Sequence, residues 1–361
     1  MIQIAKPIIS NEEITAVTEA LMSGQLASGK HVADFEGLFK DYIGTKYAVA
    51  TCSGTTALHA ALLSVGIGRG DYVLTTPFSF IATANAILYT GATPVFADID
   101  EQTFNIDPDA VEKAILGSKN KIKALVIVHL FGNPCDMGRI AEICNKYGIA
   151  LVEDCAQSHG AEYGNKKAGS FGKVSIFSFY PTKNMTCGEG GMAVTDDEEV
   201  YERLKKIINH GQSTRYNHVM LGYNFRMTDI GAAIGTEQLK KLDKFNGLRI
   251  RNAESYLKKI NNPNIILPKT TDNSKHVYNQ FTVKCTDRDS LIEHLTANGI
   301  GYGIYYPVTI PSQPLYRSLD IKSNCPKAEE MSKAVLSIPV HPSLEEHEVR
   351  KVIDTINSWK G

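Results

Sequence analysis

The sequence predicts an α/β fold, in which a large domain with a mostly parallel, helix-covered sheet precedes a small α+β domain. Short apolar runs alternate with helical patterns over the first half of the chain, which is typical of strands buried on both faces. The 361 residues exceed the size of most single hydrophobic cores. The alternation stops near residue 240, so we expect residues 1–244 to form the large domain and 245–361 the small one.

Two helices are predicted before the sheet begins. Residues 1–12 are expected to hold an extended N-terminal segment. Ser10 and Glu13 have the spacing of a capping box, which predicts a helix that runs to about residue 21. Apolar residues at helical spacing between positions 32 and 42 predict a second helix.

Strands and helices then alternate as far as residue 195. Continuous apolar runs with helical patterns between them favour parallel strands joined by helical connections. The predicted helices are 55–64, 81–89 and 138–147, and the predicted strands are 47–50, 72–75, 93–98, 124–129, 150–154, 175–179 and 192–195.

The last third of the chain has a different pattern. A long polar helix is expected at 237–259, and it leads out of the large domain. The elements predicted after it are strands at 277–284 and 302–306 and helices at 287–298, 328–336 and 345–357.

Composition excludes several classes of protein. The net charge of -1 provides no positive field for nucleic acid or an anionic membrane surface. No apolar run approaches the length that spans a bilayer, and the N-terminus lacks a signal-peptide pattern. The seven cysteines form no CxxC pair, which argues against a disulfide framework and a structural zinc site. We therefore expect a cytoplasmic protein without a metal.

The most informative stretch surrounds Lys183. A buried apolar strand ends at Ser178, a proline breaks the run, and the lysine follows between Thr182 and Asn184 before a glycine-rich turn. Desolvation in such a position lowers the pKa of a lysine and frees its amine to attack a carbonyl group. Taken alone, the same pattern also fits a surface lysine in a loop.

Three further segments lie at or just after the carboxyl ends of predicted strands. Gly54 and Thr55 begin a helix, where small residues and the helix N-terminus favour a phosphate, although the same residues also suit a plain helix cap. Asp154 ends a buried strand, with Gln157 three residues later. Phe80 follows another strand and could stack on a planar cofactor or belong to the core.

Together, these features match the contacts that pyridoxal 5'-phosphate needs. They are a phosphate site, a ring to stack on, a carboxylate for the pyridinium nitrogen and a lysine for a Schiff base. Because ligands of open α/β sheets bind at the carboxyl ends of the strands, we expect these groups to lie close together.

At this point the sequence resembles the DegT-type nucleotide-sugar aminotransferases, a branch of the fold-type-I pyridoxal-phosphate enzymes. The resemblance covers essentially the whole chain. It rests on segments 53–58, 78–83, 153–161, 177–184, 188–191, 210–212, 222–230, 305–307 and 339–342.

The resemblance implies roles for the residues around the cofactor ring. Lys183 would be the Schiff-base lysine and the residue that transfers protons. Asp154 would keep the pyridinium nitrogen protonated, and Gln157 would hydrogen-bond the phenolic oxygen. Phe80 would stack on the ring.

The resemblance also implies a phosphate site and a homodimer with shared active sites. Gly54, Thr55 and Ser178 would hold the phosphate. Asn224 would reach the cofactor of the partner subunit. Arg226 would face the nucleotide diphosphate or pair with an aspartate at a helix start.

The implied reaction moves an amino group from glutamate to a nucleotide-linked keto-sugar by a ping-pong mechanism. Tyr305 and Tyr306 are candidate substrate-binding residues. Many relatives that make 3-amino sugars have histidine where Tyr305 stands, which favours a 4-keto-6-deoxyhexose and leaves amination at C3 as the alternative. A related branch that dehydrates sugars has histidine in place of Lys183. A non-catalytic regulator that binds the cofactor is a further alternative, which the set of Lys183, Asp154 and Gln157 disfavours.

Overall fold

The computed structural model describes residues 1–361 and contains twelve α-helices. Polar caps start most of the long ones; for example, the side chain of Asp197 accepts a hydrogen bond from the N–H of Val200. The helices are Asn11–Met22 (α1), Lys30–Ile43 (α2), Gly54–Ser64 (α3), Ala82–Tyr89 (α4), Pro108–Gly117 (α5), Met137–Tyr147 (α6), Glu198–Ile207 (α7), Asp229–Lys259 (α8), Arg288–Ala297 (α9), Pro314–Ser318 (α10), Pro326–Ala334 (α11) and Glu346–Ser358 (α12). None of them is long and apolar enough to cross a membrane.

Fifteen strands accompany the helices, and seven of them form the central sheet. The sheet strands are Tyr47–Thr51 (β1), Tyr72–Thr75 (β2), Thr93–Phe96 (β3), Ile122–Val128 (β4), Ala150–Asp154 (β5), Val174–Ser178 (β8) and Gly191–Thr195 (β9). The others are Glu162–Tyr163 (β6), Lys166–Lys167 (β7), Gln212–Thr214 (β10), Asn217–His218 (β11), Ile265–Ile266 (β12), Ser274–Lys275 (β13), Phe281–Cys285 (β14) and Val335–Ile338 (β15).

The central sheet is mostly parallel, as the sequence predicts. Its strand order is β1-β9-β8-β5-β4-β2-β3, and only β9 runs antiparallel to its neighbours. Gly191, the first residue of β9, pairs with both Thr51 and Ser178, the last residues of β1 and β8. The carboxyl ends of the parallel strands therefore share one edge, where ligands bind in open α/β sheets.

Helices cover both faces of the sheet, and alternate residues of a strand supply the two cores. Ile176 packs into a cluster with Leu58 and Ala61 of α3. Its neighbour Phe177 packs on the other face with Phe39 of α2. This burial on both faces explains why the strands read as continuous apolar runs.

The C-terminal part has its own core around the sheet β12-β14-β15. Phe281, Leu336 and Trp359 belong to this cluster, and so does Tyr256 of α8. Leu242, fourteen residues before Tyr256 on the same helix, packs instead with the central sheet. The boundary that we predict between residues 244 and 245 therefore falls inside a continuous helix, and the division into two domains stays a prediction.

Several predicted boundaries are wrong. Helix α8 begins at Asp229 with Thr228 as its cap, rather than at residue 237, because its first two turns contain small residues that give no apolar periodicity. Residues 302–306 do not form a strand, although Gly303 makes one bridge to Ser337. The predicted helix 328–336 ends at Ala334, where β15 begins.

Candidate active site

The carboxyl ends of the central strands open into a cavity of about 510 Å³. Its wall includes the ends of β5 and β8, the first turns of α3 and α4, and two segments from the last third of the chain. All but two of the residues predicted for the site line this cavity. They are Gly54, Thr55, Phe80, Asp154, Gln157, Ser178, Lys183, Tyr305 and Tyr306.

The first turn of α3 presents unpaired hydrogen-bond donors to the cavity. The backbone N–H groups of Gly54 and Thr55 make no hydrogen bond within the protein, and neither do the hydroxyl groups of Thr55 and Ser178. A Cβ added to Gly54 would lie 2.5 Å from the Cβ of Ser178, so only glycine lets the helix approach β8 this closely. The converging donors and the helix N-terminus suit a phosphate group.

Lys183 lies on the turn that follows β8. Its backbone N–H donates to the carbonyl oxygen of Tyr180 at 2.9 Å. Burial lowers the pKa of Lys183, and the nearby charge of Asp154 opposes that shift in part. The amine is therefore neutral, and nucleophilic, over a wider pH range than the amine of an exposed lysine.

An asparagine from a distant part of the chain fixes this turn on both sides of the lysine. The Nδ2 of Asn279 donates to the carbonyl oxygen of Thr182 at 3.2 Å and to the Oδ1 of Asn184 at 2.9 Å. Asn184 in turn donates to the Oδ1 of Asn246 on α8 at 2.7 Å. The position of Lys183 thus depends on contacts across the whole site.

Asp154 has few partners for a buried carboxylate. Its Oδ2 accepts a hydrogen bond from the Thr83 hydroxyl at 3.0 Å, and its Oδ1 accepts one from the Ala156 N–H at 3.1 Å. Burial raises the pKa of Asp154, although these two bonds and the charge of Lys183 oppose the shift. A carboxylate in this state favours a cationic partner in the cavity.

The neighbouring Glu153 points to the opposite face of β5 and is saturated with donors. Burial by itself would raise the pKa of Glu153, but its hydrogen bonds hold that pKa below the usual range. The hydrogen bond from His129 lowers it most. The five donors are the Nε2 of His129, the N–H groups of Gly169, Phe171 and Gly172, and the hydroxyl of Ser175, all between 2.7 and 2.9 Å.

The tautomer of His129 follows from its second contact. The N–H of Cys135 donates to Nδ1 of His129 at 3.0 Å, so Nδ1 carries no proton. The ring is therefore neutral and donates through Nε2 to Glu153. The pair is a structural anchor beneath the site, in which the only charge belongs to the carboxylate.

Gln157 has a fixed orientation. Its Oε1 accepts from the N–H of Phe131 at 2.6 Å, and its Nε2 donates to the hydroxyl of Tyr306 at 3.1 Å. Burial raises the pKa of Tyr306, which keeps that hydroxyl protonated. One Nε2 hydrogen of Gln157 remains for a ligand. Phe80 is 59% exposed, with its ring 6.3 Å from that of Tyr306.

Asn224 and Arg226 do not line the cavity. Asn224 is exposed and forms a bridge with Asn209, and Arg226 donates from Nη1 to the Oδ1 of Asn209 at 2.5 Å. Arg226 does not pair with Asp229, whose Oδ1 accepts instead from the N–H of Gly29 at 2.8 Å. Their predicted roles toward a partner subunit and a nucleotide stay predictions.

The cavity also contains residues that sequence reasoning did not assign. Thr83, the second residue of α4, could have been found from its place beside Phe80 at the same strand exit. Asn279 and Gln280 gave no such signal, because only the packing of the last third of the chain brings them to the cavity.

The residues of the cavity fit pyridoxal phosphate. The unpaired donors of Gly54, Thr55 and Ser178 form a phosphate cradle, Asp154 is a carboxylate without a cation, and Lys183 supplies an amine. These groups define a pyridoxal-phosphate-dependent enzyme of fold type I.

The chain belongs to the DegT/DnrJ/EryC1/StrS aminotransferase family, whose model matches residues 7–357. Among its relatives, the dTDP-3-amino-3,4,6-trideoxy-alpha-D-glucose transaminase of Streptomyces venezuelae is 39% identical over 96% of this chain and 93% of its own. The pleiotropic regulatory protein of Geobacillus stearothermophilus is 38% identical over the same shares of the two chains.

Solved structures show the same fold. DesV of S. venezuelae, in complex with a ketimine intermediate, superposes with a TM-score of 0.93 at 38% identity and covers 97% of this chain and 94% of its own. The putative sugar aminotransferase Spr1654 of Streptococcus pneumoniae, in its PMP form, gives a TM-score of 0.93 at 28% identity, with 99% and 97% covered. The family is pyridoxal-phosphate dependent, and the predicted cofactor and fold class are confirmed.

Proposed function

We propose that this protein transfers an amino group from glutamate to a nucleotide-linked keto-sugar, a 4-keto-6-deoxyhexose. The observation that carries the proposal is the pairing of Lys183 and Asp154 in one cavity beside a phosphate cradle. A sugar dehydratase is disfavoured because a lysine, rather than a histidine, stands at position 183.

The cofactor would be held by this chain's own side chains. Gly54, Thr55 and Ser178 would bind its phosphate, and Asp154 would pair with its ring nitrogen. Gln157 would use its free Nε2 hydrogen on the ring oxygen. When bound, pyridoxal phosphate supplies an aldehyde that carries the amino group and a ring that withdraws electrons.

Lys183 would do the proton transfer. Its lowered pKa favours the neutral amine, which can accept a proton from a substrate carbon. The clamp by Asn279 on Thr182 and Asn184 holds the turn still, so that the same Nζ can return the proton to a second position. The exchange of glutamate for the keto-sugar in one site is the basis for a ping-pong mechanism.

A homodimer with shared sites is supported by what the cavity lacks. Apart from Lys183, no lysine, arginine or histidine side chain lines it, although glutamate and a nucleoside diphosphate are both anions. We propose that Asn224 and Arg226, which lie outside the cavity of their own chain, reach that of the partner. A gel-filtration or light-scattering mass for a monomer would contradict this arrangement.

The position of amination has a second candidate. Tyr305, in place of a histidine, favours C4. Amination at C3 is favoured by relatives whose names specify a 3-amino sugar, such as the transaminase of S. venezuelae. NMR of the amino-sugar product, made from 3-keto and 4-keto nucleotide sugars offered separately, distinguishes the two.

The seven cysteines are unpaired, which fits the reducing cytoplasm where we propose that the enzyme works. The regulator alternative has support in the name of the G. stearothermophilus relative. Turnover separates these possibilities, because a regulator would bind the cofactor without consuming an amino donor.

The experiment is an absorbance spectrum of the cofactor-loaded protein before and after addition of glutamate. We expect the visible band to disappear with glutamate and to return when a nucleotide keto-sugar is added. The variant Lys183→Ala should lose the visible band and all turnover while its far-UV circular dichroism stays unchanged. Lys119→Ala, a change at an exposed lysine, should behave as wild type. Turnover by Lys183→Ala would disprove the assignment.

A further inference from the structure

Two adjacent residues of the last third of the chain, Asn279 and Gln280, line the cavity. The Nδ2 of Asn279 is bonded within the protein but its Oδ1 is not, and the Gln280 amide has no partner at either atom. Both are more than nine-tenths buried, with 4% and 7% of their surfaces exposed. The side chain of Gln280 makes no hydrogen bond to the protein, and only its backbone N–H is used, by the carbonyl oxygen of Phe131 at 3.2 Å. Neither amide atom is closed off in the protein interior, so the Gln280 amide is open to the cavity and available to a ligand.

The orientation of the Asn279 amide is fixed by a chain of anchored amides. Its Nδ2 donates to the carbonyl oxygen of Thr182, and a carbonyl oxygen can only accept, so the nitrogen and oxygen cannot be exchanged. Asn184 is anchored in the same way by the carbonyl oxygen of Val277 at 3.2 Å. Asn246 is anchored by that of His159 at 2.8 Å.

The Oδ1 of Asn279 therefore accepts no hydrogen bond from the protein. It is not sealed within the protein interior, so it opens to the cavity. The charges of the cavity favour the same kind of ligand, because Glu189 also lines it as an acceptor and Lys183 is its one basic side chain. An unpaired acceptor such as the Oδ1 of Asn279 attracts hydroxyl hydrogens and disfavours a sugar carboxylate held against it.

We propose that Asn279 and Gln280 bind hydroxyl groups of the hexose and set the preference for a neutral, hydroxylated sugar over one that carries a carboxylate. Asn279 accepts from one hydroxyl through Oδ1, and the Gln280 amide, which can donate and accept, binds a neighbouring hydroxyl. The inference rests on the proposed function, since it names the part of the substrate that these two residues contact.

The test is calorimetry of the cofactor-loaded protein with UDP-, GDP- and dTDP-glucose and with the three free diphosphates. In the wild type, we expect at least one glucose conjugate to bind about tenfold more tightly than its diphosphate, which matches one or two added hydrogen bonds. Gln280→Leu should remove most of that ratio and leave the affinity for the diphosphate unchanged. Because the Gln280 side chain bonds to no protein group, this variant should fold normally.

A matched control is Gln102→Leu, which makes the same change on an exposed glutamine outside the cavity and should keep the wild-type ratio. UDP-glucuronate is expected to bind the wild type more weakly than UDP-glucose, and Gln280→Leu should reduce that difference. A Gln280→Leu variant with the wild-type ratio overturns this inference alone. A wild type that binds none of the three conjugates overturns the proposed function, and this inference with it.

Discussion

Glu153 and Asp154 are consecutive carboxylates on one buried strand, yet the protein treats them in opposite ways. Glu153 accepts five hydrogen bonds, and its pKa is lowered. Asp154 accepts two, and its pKa is raised. Strand alternation sends the first into the packed interior and the second to the cavity. The number of donors around a buried carboxylate, more than its burial, separates a structural anchor from a ligand-binding group.

The largest effect that this comparison predicts is on stability. Glu153→Gln leaves several N–H groups facing an amide of the wrong polarity, so we expect the free energy of unfolding to fall by about 3 kcal/mol or more. Urea denaturation measures it. Glu293→Gln, at an exposed position without an ion pair, should change stability by no more than about 0.5 kcal/mol. Equal stabilities for the two variants would contradict the anchoring role of Glu153.

At Asp154 the same conservative change should act on function instead. Asp154→Asn removes the charge that would pair with the cofactor, and we expect the rate with glutamate to fall by about 10²-fold or more. Its stability should equal or exceed that of the wild type, because burial opposes the ionised form. Stopped-flow absorbance gives the rate and urea denaturation the stability. An Asp154→Asn variant that is unstable but fully active would show that Asp154, like Glu153, serves stability and not function.

Lowering the pH should change the stability contributions of Glu153 and Asp154 in opposite directions. A lowered folded pKa means that the unfolded state binds protons first, so the stability that Glu153 contributes is lost as the pH falls below the ordinary carboxyl range. A raised folded pKa means that the folded state binds the proton first, so the cost of Asp154 disappears as the pH falls.

Measured on cofactor-free protein, the stability gap between wild type and Glu153→Gln should narrow in acid. Any advantage of Asp154→Asn over the wild type should also vanish there. Gaps of the same sign for both variants would be inconsistent with opposite pKa shifts.

The smallest expected effect tests the contact that Asp154 does have. Thr83→Val removes the hydroxyl that donates to Oδ2 and should raise the pKa of Asp154 further. We expect a cost of about 1 kcal/mol in stability and a loss of activity that grows as the pH falls. Thr75→Val, which removes a bond from a buried threonine to the Val126 carbonyl, should have a similar stability cost and an unchanged pH profile.

Sequence reasoning could predict the part of the site that follows the strands. Gly54, Asp154, Ser178 and Lys183 each lie just after or at the end of a predicted strand, and parallel strands bring their carboxyl ends to one edge. It also chose Asp154 rather than Glu153 for the site, but it gave no role to Glu153, because the donors around that carboxylate come from other segments of the chain.

The rest depends on long-range contacts. Asn279 reaches Thr182 and Asn184 across nearly one hundred residues, and no local pattern encodes such a bond. The start of α8 is hard to predict for a local reason, because its buried glycines and alanines do not produce an apolar stripe. Of the predicted strand 302–306, only Gly303 pairs with the sheet, through its bridge to Ser337 of β15.

The anchored amides of Asn279, Asn184 and Asn246 predict how a truncated chain would behave. A fragment that stops at residue 244 keeps the seven strands of the central sheet, the phosphate cradle and Lys183, but it lacks two of the three amides. Its lysine turn would lose the hydrogen bonds from Asn279 to Thr182 and Asn184 and the bond from Asn184 to Asn246. We expect such a fragment to have the chemical groups of the enzyme and no activity, and co-expression of the missing half to be required for recovery.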